Sequence, residues 1–134
     1  MAKFKGIRIV KEPTYSASSS EFDESELMDG DVTVRVSHST VNYKDGLAIT
    51  GKSPVVRRFP MIPGIDFAGV VETSSHAGFK PGDAVVMTGW GLGETHLGAY
   101  AQKARVKGDW LVRLPQSISA RDCMNSGEKK LYAV

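Results

Sequence analysis

The stretch Asp29-Gly30-Asp31-Val32-Thr33-Val34-Arg35-Val36-Ser37 decides the fold class. Asp-Gly-Asp is turn chemistry, and the valines at 32, 34 and 36 alternate with polar residues, so one face of an extended segment is apolar. Upstream, Phe4 to Val10 predicts a first strand. Between the two, Pro13 to Gly30, with its Ser16-Ala17-Ser18-Ser19-Ser20 run, reads as a mobile polar loop. Downstream, Ala68-Gly69-Val70-Val71-Glu72 is a strand, and Ala84-Val85-Val86-Met87-Thr88 is another, entered through Phe79-Lys80-Pro81-Gly82-Asp83. Tyr100 to Val106 predicts a further strand, and Lys107-Gly108-Asp109 turns into a last one over Trp110-Leu111-Val112, closed by Pro115. Helix is confined to Asn42 to Ile49 and to a start at Ser119-Ala120-Arg121-Asp122, the latter compromised by Gly127. Short strands with Gly and Pro punctuation imply a mainly β domain, a small barrel or sandwich, rather than a doubly wound sheet.

Composition removes several classes of function. The 134 residues amount to about one domain, and 41% hydrophobic with 24% charged argues against wholesale disorder. A net charge of +2 is too small to suggest a nucleic acid or a membrane surface as partner. No apolar run approaches the ~20 residues of a membrane span, and Met1-Ala2-Lys3-Phe4-Lys5-Gly6 does not lead into a signal peptide. The lone Cys123 cannot form an internal disulfide, so the expected compartment is the cytoplasm. The charge is uneven: Glu21, Asp23, Glu24, Glu26, Asp29 and Asp31 form an acidic stretch, and Lys103, Arg105, Lys107 and Arg113 a basic one. Such runs read as solvated faces, with attraction of an anionic ligand the alternative for the basic one.

Metal chemistry is not expected. There is no C-x-x-C or H-E-x-x-H, and His38, His76 and His96 are dispersed. Cys123 reads as an incidental thiol. Gly89-Trp90-Gly91-Leu92-Gly93 is not G-x-G-x-x-G, because residue 94 is Glu and no helix follows; it reads as a mobile surface loop presenting Trp90 to a ligand. Two segments stand out. Asn42-Tyr43-Lys44-Asp45 packs four chemistries into four residues, and Phe59-Pro60-Met61-Ile62-Pro63-Gly64-Ile65-Asp66-Phe67-Ala68-Gly69 sets one carboxylate among apolar residues. From spacing alone, Tyr43 is more often an anchored core tyrosine and Asp66 a satisfied structural carboxylate than either is functional.

Those segments, with Ile49-Thr50-Gly51, Thr88-Gly89-Trp90-Gly91 and Ala104-Arg105-Val106-Lys107-Gly108-Asp109-Trp110-Leu111, resemble the quinone oxidoreductase branch of the medium-chain dehydrogenases/reductases. Within it the resemblance is strongest to the bacterial-type acrylyl-CoA reductases, from about Val32 to Met124. It implies that residues 1–118 form a GroES-like, partly open β-barrel with short helices, the catalytic half of such enzymes. Residues 119–134 would then be the start of an interdomain helix with a divergent tail. No βαβ unit that would cradle a pyrophosphate is present, so the Rossmann domain is lacking.

In the zinc-dependent relatives a cysteine occurs where Asn42 stands, and a His-Glu pair where Ile65-Asp66 stand, so the resemblance implies a zinc-free reductase. Hydride would pass from NADPH to an activated alkene, such as an acrylyl-CoA-like enoyl thioester, or to a quinone. Tyr43 and Asn42 would meet the nicotinamide, and the Tyr43 phenol could also donate the proton. Asp66, Trp90 and Arg58 are candidates to line the substrate cleft, with Asp66 fixing a barrel loop there. Arg57, Arg58 and Lys44 are candidates to meet phosphates. Without a second domain the chain is expected to bind NADPH weakly or not at all and to self-associate. The alternative reading is a non-catalytic GroES-like association module.

Overall fold

The computed structural model describes residues 3–115 and 117–125. Among these residues seven strands and two α-helices follow one another as β1 (Lys3–Val10), β2 (Ser16–Asp23), β3 (Val32–Ser39), α1 (Tyr43–Thr50), β4 (Asp66–Ser74), β5 (Ala84–Thr88), β6 (Lys103–Val106), β7 (Val112–Arg113) and α2 (Ala120–Asn125). Short 3-10 turns cover Glu24–Glu26 and Gly108–Trp110. All pairings within the sheets are antiparallel: a two-stranded sheet β1-β2 and a five-stranded sheet in the order β6-β3-β4-β5-β7. The segment before β6 joins them. Gln102 donates its N–H to Lys5 O (2.9 Å) on β1 and accepts from Val36 N–H (2.8 Å) on β3, while Gly6 bridges Ala101. Two open sheets fastened at such points give the β-rich, partly open architecture with short helices that the strand pattern implies.

Alternation on β3 holds in part: Thr33, on the polar side of the pattern, is buried and receives the Arg105 Nε–H (2.9 Å), and Val36 is only half-buried. Val32 and Val34 are buried with Phe67, Val71, Val85, Met87, Leu92 and Val106 in one core, and Arg35 is exposed. β4 crosses close behind: a Cβ added at Gly69 would meet Arg35 O and lie 2.8 Å from Val34 Cγ1, so only glycine fits there. A second core gathers Phe4, Ile9, Phe22, Met61, Ile62 and Leu97 between the β1-β2 sheet and the 55–62 segment.

Three readings need correction. The serine-rich stretch is no loop: β2 pairs with β1 residue for residue, from Lys3↔Asp23 to Val10↔Ser16. Phe22 stacks on Phe4 with ring centroids 5.4 Å apart, and the Arg8 guanidinium lies 4.1 Å from the Phe22 centroid. Partner and burial at Phe22 override the weak strand preference of the serines, most of which are exposed. The last predicted strand is displaced. Trp110 N–H donates to Lys107 O and Leu111 N–H to Gly108 O (both 3.0 Å), so a 3-10 turn takes residues 108–110 and only Val112–Arg113 pair with β5. β6 begins at Lys103 rather than at Tyr100. Finally, the two charge runs touch at Glu24, which Lys103 and Arg105 approach, while Glu21, Glu26, Asp29, Lys107 and Arg113 stay exposed as a solvated-face reading expects. Lys103 Nζ lies 3.0 Å from Glu24 and 2.9 Å from Glu72, which commits the best-placed cation of the basic stretch.

α2 starts where the sequence places it, with Asp122 N–H donating to Ser119 Oγ (3.1 Å). The side chain of Cys123, and Gly127 with the rest of the tail, lie outside the described residues. Among those residues no helix is long and apolar enough to cross a membrane.

Candidate functional site

The site grows out of the end of β3. After Ser39 the chain turns at Asn42, the N-cap residue of α1, and the helix closes nine residues later on Gly51, whose φ of 72° suits glycine. Asp45, three residues after the cap, reaches back: its Oδ2 accepts the Asn42 N–H at 3.0 Å. Its Oδ1 accepts the Ile65 N–H at 3.1 Å. Asp45 is 1% exposed, and so is Asp66, the first residue of β4.

The Asn42 amide stands between these two carboxylates. Its Nδ2 lies 3.1 Å from Asp45 Oδ2, 3.1 Å from Asp66 Oδ2 and 2.7 Å from Thr40 Oγ1. The Thr40 hydroxyl in turn donates to Asp66 Oδ2 at 3.0 Å. From the far side the Tyr100 hydroxyl points in, 2.6 Å from Thr40 O and 3.1 Å from Asp45 Oδ2. Tyr100 is delivered by a strap of backbone bonds, Gly98 N–H to Ile62 O (2.7 Å), Ala99 N–H to Gly64 O (3.1 Å) and Tyr100 N–H to Pro63 O (3.0 Å). Burial, and then the negative charge of Asp45, hold its phenol well above the ordinary range, so it remains a donor. Charge buried in this way is tolerated because several donors surround it.

On this base the outward residues are held in place. Tyr43, the first residue of α1, is 85% exposed, and Val41 before the cap is 91% exposed. Tyr43 is therefore not an anchored core residue. Lys44 is ion-paired with Glu94, and the Glu94 carbonyl accepts the Arg57 N–H at 2.9 Å, so the glycine-rich segment is tied to α1. Trp90 is 61% exposed and has a φ of 56°, unusual for a bulky side chain. It stacks on Trp110 with centroids 5.9 Å apart and planes 11° apart. Its segment is a set of hydrogen-bonded turns, including Leu92 N–H to Gly89 O (3.0 Å) and Gly93 N–H to His96 O (2.8 Å). His96 is buried, edge-on to Trp110, with Nε2 2.6 Å from Arg105 O. Burial first, then the charges of Arg58 and Lys107, lower its pKa against the opposing effect of that bond.

The structure thus brings Asn42, Tyr43 and Asp66 together and leaves Arg58 apart. Arg58 lines a separate recess of about 230 Å³ with Arg8, Phe22, Glu26 and Met61, which none of the other three reaches. Lys44 is committed to Glu94. The sequence marks Asp45 only as the carboxylate of the Asn42–Asp45 motif, with no role of its own, and Tyr100 only as the start of a strand. Asp45 carried a readable signal, the acidic residue three after an N-cap; Tyr100 carried none. Among the described residues no group of three or more His, Cys, Asp or Glu is arranged to hold a metal ion.

A domain of open antiparallel sheets, with a tyrosine presented on a carboxylate-braced helix cap, now has a class. Residues 28–116 match the family described as the alcohol dehydrogenase GroES-like domain, and the chain belongs to it, within the medium-chain dehydrogenase/reductase oxidoreductases. It is 59% identical over 111 residues to the probable acrylyl-CoA reductase AcuI of Escherichia coli K12, covering 83% of this chain and 34% of that protein. The acrylyl-CoA reductase AcuI of Ruegeria pomeroyi is 52% identical over the same shares. Among solved structures, the yhdH oxidoreductase of Salmonella enterica in complex with NADP superposes with a TM-score of 0.89 at 49% identity, covering 98% of this chain and 40% of that one. The chain spans about a third of the length of the curated relatives it matches.

Proposed function

We propose that this chain is the catalytic-domain part of an NADPH-dependent, zinc-independent oxidoreductase that reduces an activated alkene of the acrylyl-CoA kind, or a quinone. One observation carries the reading: Tyr43 stands exposed on a turn whose geometry is set by Asn42 between two buried carboxylates. A planar, partly apolar ring such as nicotinamide suits the exposed surface of Val41 and Tyr43. The rest of a dinucleotide finds no match here, since among the described residues no helix begins at the glycines at 89, 91 and 93. The exposed turn suits the nicotinamide end of the cofactor, and no pyrophosphate cradle accompanies it among the described residues. When bound, NADPH supplies the hydride that adds to the β-carbon of the alkene. Tyr43 presents its phenol toward the reacting groups, where a hydroxyl can donate the proton the enolate needs. Asn42, with its Nδ2 engaged three ways, is a positioning residue that fixes where Tyr43 points. The cytoplasm is the compartment that agrees with this chemistry and with the sequence.

The test joins the chain in frame to the nucleotide-binding part of the Salmonella oxidoreductase and follows NADPH oxidation with acrylyl-CoA and with a quinone. Activity is expected, with Tyr43→Phe lowering it roughly 100-fold, the scale of a lost proton donor. A folded chimera that binds NADPH and reduces neither compound overturns the reading.

A second reading rests on the same exposed surface. Val41, Tyr43 and Trp90 are large apolar groups left uncovered, which suits a non-catalytic module that associates with another copy or with a longer relative. It prevails if the chain sediments as a stable oligomer whose formation Tyr43→Ser abolishes, while the chimera is inactive.

A further inference from the structure

At the opposite end of α1 from Tyr43 lies a groove that the hydride chemistry does not use. We propose that it seats the adenosine 3′-phosphate end of a coenzyme A thioester, an inference that rests on the substrate class proposed above and extends it. The groove has a volume of about 280 Å³, with Tyr15 and Phe59 as aromatic walls and Lys11 and Lys52 as its charged residues. The two rings meet edge to face, centroids 5.7 Å apart and planes at 83°, and Lys11 Nζ lies 5.9 Å from the Phe59 centroid. No acidic residue lines it, and neither lysine ammonium has an ion pair or hydrogen bond among the described residues. Lys11 and Phe59 continue into a neighbouring recess of about 310 Å³ that adds Val10, Pro60 and two opposite charges, Glu12 and Arg8, the latter already paired with Glu26. An aromatic face beside two uncommitted ammonium groups is the chemistry that takes a phosphorylated purine nucleoside.

The end of a helix is in general a poor place for an anion, because its last carbonyls face outward. Here two of them are occupied: Leu47 O accepts the Gly51 N–H (3.0 Å) and Ala48 O the Tyr15 hydroxyl (2.5 Å). Gly51 belongs to the same construction, since a Cβ there would come within 2.7 Å of the Tyr15 ring. Lys52 follows immediately, so the first charge an anion meets past the helix end is positive.

Position argues for coenzyme A rather than for the phosphate of NADPH. An eight-residue helix separates Tyr43 from the groove by about 12 Å along its axis. A ligand with its reactive alkene at one end, a long flexible arm and a phosphorylated adenosine at the other spans both places. The pyrophosphate of a dinucleotide whose nicotinamide lies on Tyr43 calls for a glycine-rich turn leading straight into a helix, and none occurs among the described residues.

The experiment is an amide NMR titration of the nitrogen-15-labelled 134-residue chain with adenosine 3′,5′-bisphosphate, adenosine 2′,5′-bisphosphate and inorganic phosphate. Saturable shifts at Lys11, Tyr15, Gly51, Lys52 and Phe59 are expected with the 3′,5′ isomer, and affinity at least about tenfold weaker for the other two. Lys11→Glu with Lys52→Glu, both exposed, should lose about tenfold or more in affinity with the spectrum otherwise unchanged. Shifts centred on Tyr43 and Lys44, equal response to all three ligands, preference for the 2′,5′ isomer, or an unaffected double variant each overturn the proposal. In the chimera the same double variant should raise KM for acrylyl-CoA and leave quinone reduction untouched. If quinone is reduced and KM for acrylyl-CoA does not move, the groove is refuted while the reductase reading stands.

Discussion

Asn42 offers the sharpest test of how this site is held. Its Nδ2 has two hydrogens and three acceptors, Thr40 Oγ1 at 2.7 Å and the two carboxylate oxygens at 3.1 Å. Asn42→Ala removes that donor from between two buried acids. Neither is stripped bare, since Asp45 keeps the Asn42 and Ile65 N–H groups and the Tyr100 hydroxyl, and Asp66 keeps Thr40. A hydrogen bond to a charged acceptor contributes about 1.5–3 kcal/mol, and water entering beside a half-buried position returns part of it. The expected loss is therefore about 2–3 kcal/mol for the pair of contacts together. With a urea m-value of about 1.5 kcal/mol/M, the unfolding midpoint falls by roughly 1.5 M.

Asn42→Asp separates the electrostatic part from the packing part. The substitution conserves shape but brings a third carboxylate to hydrogen-bonding distance of the other two. Like charge raises the folded-state pKa of the new acid above its unfolded value of about 3.9. The unfolded chain then binds fewer protons than the folded one in that window, so stability falls as pH rises through it. Asn42→Asp should accordingly be less stable than Asn42→Ala at pH 8, with the gap closing toward pH 5. A midpoint shift below roughly 0.3 M for Asn42→Ala, or Asp and Ala variants that track each other at every pH, would refute the account of Asn42 as the bridge between two charged carboxylates.

Two other perturbations test the glycine-rich turn. His96 has a lowered pKa, so its stabilising contribution is complete above its ordinary value of 6.5 and is lost as pH falls through the folded value. His96→Gln can keep a donor toward Arg105 O and should remove that acid-side decline; identical Tm-against-pH curves for the two proteins count against it. At Trp90, replacement by Gly gives up the Trp110 stack, about 0.5–1.5 kcal/mol, and relieves a left-handed backbone conformation that costs about 1–2 kcal/mol. Trp90→Gly should thus stay within about 1 kcal/mol of the parent in urea unfolding, whereas Trp90→Val, β-branched at positive φ, should cost more than Trp90→Gly by about 2 kcal/mol. Equal stability of the two variants would mean that the φ of 56° carries no strain.

What could be read from the sequence was what neighbours in the chain decide. Val32, Val34 and Val36 announce β3 by alternation, and Ala84 to Thr88 announce β5 because Pro81-Gly82-Asp83 turns the chain into it. α1 was legible from Asn42 at one end and Gly51 at the other. β2 was not, because its serines say loop and only the pairing with β1 and the burial of Phe22 say strand. Trp110 was misread for a related reason: apolar residues after a turn suggest a strand, but two backbone bonds close the turn one step further on. At the site, the residue types of Asn42, Tyr43 and Asp66 were visible and their contacts were not. Tyr100 meets Asp45 from 55 residues away, a distance no local pattern spans.

The division of labour within the site follows from burial. Asp45, Asp66 and Tyr100 are satisfied inside the protein, so the free energy that fixes the Asn42–Tyr43 turn is supplied when the domain folds, before any ligand arrives. Tyr43 and Val41 are almost wholly exposed and owe their positions to that interior, whereas Trp90 is held by its stack on Trp110. Such a surface is pre-organised but one-sided. It can orient a ring laid on Tyr43, since no loop has to order at that moment, yet it cannot exclude water from the other face of the ring. Removing water is what makes a fixed phenol or amide effective at a developing charge. The geometry of the Asn42–Tyr43 turn is therefore a property of these residues alone, while on the reductase reading proposed above the rate it supports depends on what covers its exposed face.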